Sequence, residues 1–147
     1  MKLSTKMRYG TRVMVGLAMA YPQRAISVKE LAYDQGLSTK YLEQIMAALK
    51  AAGLVKVIRG VHGGYALGKD PEHIRLIEVF RTLEGSLSLV DCVANPSLCE
   101  REEGCVTRDV WKEMNQALEK ILMRTTIKDL VQQKRQKMTL PSKMYYI

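Results

Sequence analysis

Between residues 27 and 67, two short helical runs, a three-residue turn and a glycine-tipped pair of β-rich runs follow one another, and few folds accommodate that order. Ser27 precedes Glu30 by three positions, the spacing at which a serine hydroxyl and a glutamate reciprocally satisfy free amides at a helix start. The helix they open ends near Gly36. Gly36-Leu37-Ser38 then turns into a second helix, with Ser38 as its N-cap. Leu42, Ile45, Met46 and Leu49 recur at i, i+3, i+4 and i+7, a core-facing stripe. Gly53 stands where a helix end calls for positive φ. Two helices joined by a short glycine-containing turn make a helix-turn-helix. Residues 54–59, rich in β-branched side chains, a turn over residues 60–64 and a return over residues 65–67 make a hairpin wing. The order predicts a mainly α chain built on a winged helix-turn-helix domain.

The flanking segments read as further helices. Residues 3–21 carry Leu3, Met7, Val13, Met14, Leu17 and Tyr21 at helical spacing, with Ser4 as cap and Pro22 as stop. A short helix is expected over residues 77–83, ended by Glu84 and Gly85. From Val106 to about Met123 a long helix carries Val106, Val110, Met114, Ala117, Leu118, Ile121 and Leu122 on one side. Such a face needs cover, and a twofold partner helix is the common solution, so a homodimer is expected. Thr126 can cap a last short helix through Gln133. The expected organisation is a winged-helix DNA-binding domain over residues 1–85, a cysteine loop over 86–105, a dimerisation helix and short helix over 106–133, and an irregular polar tail over 134–147.

Charge narrows the partner. Residues 1–69 hold 11 Lys/Arg against 3 Asp/Glu, whereas residues 70–147 hold 12 of each, so the whole net charge of +8 lies on the first half. That asymmetry suggests an electrostatic footprint for phosphate, though membrane surfaces and acidic proteins attract cations too; with the winged helix-turn-helix it points to a double-stranded DNA operator. The stripe turned inward leaves Lys40, Glu43, Gln44 and Ala47 outward, and the N-terminal part of a recognition helix enters the major groove. Ser38 and Thr39 suit phosphate, Lys40 phosphate or guanine, and Gln44 adenine. Glu43 repels phosphate unless it accepts from a cytosine amino group, which makes it a negative determinant of sequence preference. In the wing, Arg59 beside Gly60 suits a narrow minor groove and His62 a phosphate. Tyr41 and Tyr9 could donate to phosphates. Lys6, Arg8 and Arg12 interrupt any apolar run at the N-terminus, and no stretch approaches the roughly 20 apolar residues of a membrane span. A cytoplasmic protein with no membrane partner is therefore expected. With only His62 and His73, and no nucleophile–base constellation, an enzyme is not.

Cys92, Cys99 and Cys105 are the chain's only cysteines, spaced C-x6-C-x5-C. Three thiols cannot all pair within one chain. Their spacing is neither that of zinc fingers nor that of ferredoxins. In a reducing compartment such a cluster points to metal or redox chemistry.

Taken together, these residues resemble the IscR-type iron–sulfur cluster regulators and their relatives NsrR and CymR. The resemblance rests on residues 1–6 with Arg8 and Tyr9, on Ser38 and the run from Tyr41 to Gln44, and on residues 53–55. It continues through Arg59-Gly60, residues 63–65 and 67–70, the cysteine triplet, Trp111 and residues 126–131. It implies a homodimeric transcriptional regulator that senses iron–sulfur status, controls cluster-biogenesis genes and binds a cluster, [2Fe–2S] in preference to [4Fe–4S], through Cys92, Cys99 and Cys105. It also implies a promoter-class role for Glu43. The alternative is a repressor that is cluster-independent or responds to nitric oxide or redox state. Two departures stand out. Arg108 occupies the position of the expected histidine ligand and cannot ligate, and Arg8 occupies that of a partner-supplied aspartate. The fourth ligand stays open among Asp109, Glu102, Glu103, a histidine and an exogenous group, with Asp109 preferred because it adjoins Arg108. Val61-His62 also replaces the usual wing-tip pair.

Overall fold

A computed structural model describes residues 2–140. Helix α1 (Thr5–Ala20) is capped by Ser4, α2 (Val28–Gln35) by Ser27, and α3 (Thr39–Ala51) by Ser38. In each case the serine Oγ accepts from a backbone amide three residues on. One half of the expected reciprocal cap at Ser27 does not form. The Glu30 carboxylate instead pairs with both terminal nitrogens of Arg24, at 2.7 and 3.1 Å. A charge-assisted bidentate pair outbids a neutral amide for the same oxygens.

Gly36 closes α2 at φ 64° and Gly53 follows α3 at φ 74°. Strands β1 (Val55–Ile58) and β2 (Gly64–Leu67) pair antiparallel, with Val55 opposite Leu67. A third strand-like contact anchors this wing: Ile26 and Tyr65 exchange both backbone hydrogen bonds at 2.8 Å. A Cβ at Gly64 would collide with the Ile26 backbone. Gly64→Ala should therefore cost about 1–3 kcal/mol of stability, read as a lowered Tm or denaturant midpoint; an unchanged midpoint would show that the anchor gives way freely.

A 3-10 turn (Pro71–His73) leads to α4 (Leu76–Glu84). The core gathers Met14 and Leu17 of α1, Leu42, Ile45, Met46 and Leu49 of α3, Leu67 of β2, and Ile77, Val79 and Phe80 of α4. Burying each such side chain contributes roughly 1.5–3 kcal/mol. The inward α3 stripe is the predicted one, and its four members are fully buried.

The cysteine segment is not a plain loop. It contains α5 (Asp91–Ala94) and 3-10 turns at Pro96–Leu98 and Glu102–Gly104. Helix α6 (Val106–Arg124) follows, then α7 (Ile127–Thr139), whose cap is reciprocal: Thr126 Oγ1 accepts from the Asp129 amide and Asp129 Oδ2 from the Thr126 amide. The final helix runs six residues past the expected end at Gln133, so residues 134–139 are helical and not irregular. It packs on α1 through the buried Ile127 and Val131, and Lys128 pairs with Glu72 at 2.8 Å. The rest of the predicted tail, residues 141–147, lies outside the described residues.

Candidate DNA interface and cysteine segment

Helix α3 presents Thr39, Lys40, Glu43, Gln44 and Ala47 to solvent. Ser38 is exposed as well; its Oγ accepts from the Tyr41 amide at 3.2 Å, which fixes the helix start and leaves its O–H able to donate outward. Tyr41 is half-buried. Its hydroxyl lies 3.2 Å from Thr5 Oγ1, and its ring meets Tyr9 edge-on at 6.3 Å between centroids. Arg12 lies over the Tyr9 ring at 5.6 Å. The two tyrosines therefore join the start of α1 to the start of α3, which places Thr5 and Arg12 beside α3. Sequence reasoning singled out neither; the only signal was the pair of tyrosines, whose mutual contact no local spacing reveals.

At the wing tip, Arg59, Gly60 and His62 are exposed, Gly60 takes φ 115°, and the Gly63 amide donates to Gly60 O at 3.0 Å. Val61 stands almost wholly in solvent, 98% exposed.

Cys92, Cys99 and Cys105 are free thiols of intermediate burial. Cys92 lies in α5, Cys99 follows a 3-10 turn, and Cys105 is the residue from which α6 starts. Residues 99–105 line an open concavity of about 560 Å³. The Thr107 hydroxyl, 3.3 Å from the Cys105 Sγ, is the main influence holding that thiol below its ordinary pKa; the Arg108 amide adds to it, and burial and the Asp109 charge oppose it. Among the described residues, no three Cys, His, Asp or Glu side chains converge closely enough to hold a metal ion. Asp109 lies on the first turn of α6 and Glu102 and Glu103 in the 3-10 turn before it, whereas His62 is at the wing tip and His73 in the turn that packs on α7.

Arg108, noted in the sequence only as a lost ligand, has a structural part. Its Nε donates to the Cys92 carbonyl at 3.2 Å and its Nη2 lies 3.2 Å from Glu102 Oε1, with the side chain 16% exposed. Asn115 Oδ1 accepts from the Leu89 amide at 3.2 Å, a second tie from this segment to α6.

The predicted α6 stripe divides in two. Leu122 is buried and Leu118 packs on the core, toward α4, where Arg81 pairs with Glu119 at 3.0 Å. Val106, Val110, Met114, Ala117 and Ile121 stay exposed. No helix among the described residues is long and apolar enough to cross a membrane.

Comparison with known proteins bears on this arrangement as a whole. CymR, an HTH-type transcriptional regulator of Bacillus subtilis, is 39% identical over 88% of this chain and 89% of its own length. The structure of the B. subtilis global cysteine regulator CymR (YrzC) superposes with a TM-score of 0.79 at 38% identity, over 90% of this chain and 98% of that one. The structure of T. potens IscR matches with the same TM-score of 0.79 at 36% identity, over 99% of this chain and 97% of that one. These relatives are transcriptional regulators and not enzymes. A family model described as Rrf2, iron-dependent transcriptional regulator, matches residues 3–133. The chain belongs to the Rrf2 family of winged-helix transcriptional regulators.

Proposed function

We propose that this chain is a cytoplasmic homodimer that binds a DNA operator and reports iron–sulfur status to cluster-biogenesis genes through Cys92, Cys99 and Cys105. One observation carries the reading: the three free thiols share a segment tied to the first turns of a helix whose outer face is apolar and uncovered. The donor chemistry suits a soft iron centre, with three thiolates and carboxylates close by. Asp109, on the first turn of α6 that Cys105 opens, is the preferred fourth donor. A bound cluster, most simply [2Fe–2S], would supply redox and oxygen sensitivity. The chain's own part is to bring its thiols together by bending residues 92–105, which alternate short helical turns with extended residues. Bending there moves the start of α6, and α6 packs on α4, which packs on both α1 and α3. Anaerobic purification with visible absorption and iron and sulfide analysis tests the reading: coloured protein with iron and sulfide supports it, and colourless protein or zinc alone overturns it.

On DNA, Ser38, Thr39, Lys40 and Tyr41 would hold phosphates, Gln44 and Glu43 read bases, and Arg59, Gly60 and His62 engage the minor groove and its backbone. Gln44→Ala should cost about 1–3 kcal/mol of affinity and relax preference at one base position. Glu43→Ala should instead admit sequences that the wild type rejects. Binding to a randomised duplex pool at fixed salt measures both; uniform weakening across sequences would remove base reading from these two residues.

A second reading is favoured by the lowered pKa of Cys105, since a thiol with more thiolate character is the one that oxidises. In it the segment responds to thiol oxidation or nitric oxide without a cluster. Regulation that persists in iron-free protein and is lost in Cys105→Ser would establish it.

A further inference from the structure

We propose that Arg108 is the positioning residue of the cysteine segment, a guanidinium strap that folds residues 92–105 onto α6 before any ligand arrives. It stands on the first turn of α6, 16 residues beyond Cys92, and its side chain is largely covered. One nitrogen, Nε, binds the Cys92 carbonyl, and another, Nη2, pairs with Glu102 at 3.2 Å. The strap thus takes hold of the segment near both ends: at Cys92 in α5, and at Glu102, three residues before Cys105. Without it, the side-chain hydrogen bonds and ion pairs between this segment and the body of α6, among the described residues, reduce to that of Leu89 to Asn115, which lies before the first cysteine, and only the packing of α5 on α6 remains. A planar fork with several donors can make both contacts at once; an ammonium group is a single point of charge and cannot match that geometry. Arginine at this position therefore takes a part different from the histidine expected from the resemblance: it cannot ligate a metal, and it joins the Cys92 carbonyl and the Glu102 carboxylate.

This inference deepens the sensor reading and rests on it for its purpose, but its geometry is tested without any cluster. Amide hydrogen exchange on reduced, metal-free protein is the measurement. In Arg108→Ala, residues 91–105 should exchange roughly tenfold faster than in wild type, the effect expected from losing charge-assisted hydrogen bonds. The amides of α3 should be unchanged and serve as the internal control for folding. Arg108→Lys should fall between the two. Glu102→Gln, which removes one partner and leaves the Cys92 contact, should loosen the segment less and stands in if Arg108→Ala fails to fold. Anaerobic reconstitution with ferrous iron and sulfide adds a second readout: cluster loss to a chelator should be faster in Arg108→Ala and intermediate in Arg108→Lys. Wild-type exchange over residues 91–105 in both Arg108→Ala and Glu102→Gln would overturn the strap. Wild-type protein that takes up no cluster would instead overturn the proposed function and leave the exchange result standing.

Discussion

If α6 pairs as in the proposed homodimer, Met114→Asp should give a folded monomer that binds operator DNA at least about 100-fold more weakly than wild type, because two tethered half-site readers become two independent ones. Met114 is 47% exposed at the middle of the uncovered side of α6, with Val106 and Val110 before it and Ile121 after it. It takes no part in the core, which α6 joins through Leu118 and Leu122. The substitution therefore leaves the protomer's own packing intact. In a twofold pairing of α6 helices it buries two like charges near the axis, and burying an uncompensated carboxylate costs several kcal/mol. Sedimentation or light scattering reads the mass, hydrogen exchange in α3 reads the fold, and a binding titration at fixed salt reads affinity. A dimeric Met114→Asp with wild-type DNA binding would place the dimer surface elsewhere or remove it.

Cys92→Ala, Cys99→Ala and Cys105→Ala should each lower bound iron and sulfide to near background, and the triple variant should also bind DNA identically with and without iron loading. Removing one cysteine leaves two thiolates and a harder carboxylate, a soft-donor set too small to hold a cluster against water and chelators. The effect should be uneven in one respect. Cys105 sits at the start of α6 under the influence of the Thr107 hydroxyl, which lowers its pKa, so its loss should also lower the protein's reactivity toward thiol reagents near neutral pH. If single alanine variants retained full iron and sulfide, the ligands would lie elsewhere; if the triple variant still switched DNA binding with iron, the sensor would not be this segment.

Much of this architecture is local chemistry and so was legible in the chain. Serine caps, left-handed glycines at Gly36 and Gly53, and the period of Leu42, Ile45, Met46 and Leu49 each act over one or two turns, and each sets its element without help from afar. What escaped was decided by partners distant in sequence or by propensity without pattern. Glu30 fits a cap by spacing, yet Arg24 offered a stronger partner. Residues 134–139 show no apolar stripe, but Lys, Arg, Gln and Met are good helix formers and continue a helix already anchored by Ile127 and Val131. The α6 stripe looked continuous because helical period cannot say which neighbour covers which residue; Leu118 and Leu122 went to the core and the rest did not. In the candidate site, residue identity exposed the thiols and the lost histidine. It could not show that Arg108 reaches back 16 positions to the Cys92 carbonyl, since that contact exists only once α5 lies against α6.

The central claim is that the state of residues 92–105 sets DNA binding at α3 and the wing. It is tested most directly by titrating one anaerobic preparation onto one duplex, at one salt concentration, before and after reconstitution with ferrous iron and sulfide. The midpoints should differ by roughly 5–150-fold, the usual span of coupling between two sites, and the difference should vanish in the triple cysteine variant. Superimposable curves from protein shown by its iron, sulfide and colour to have loaded would contradict it.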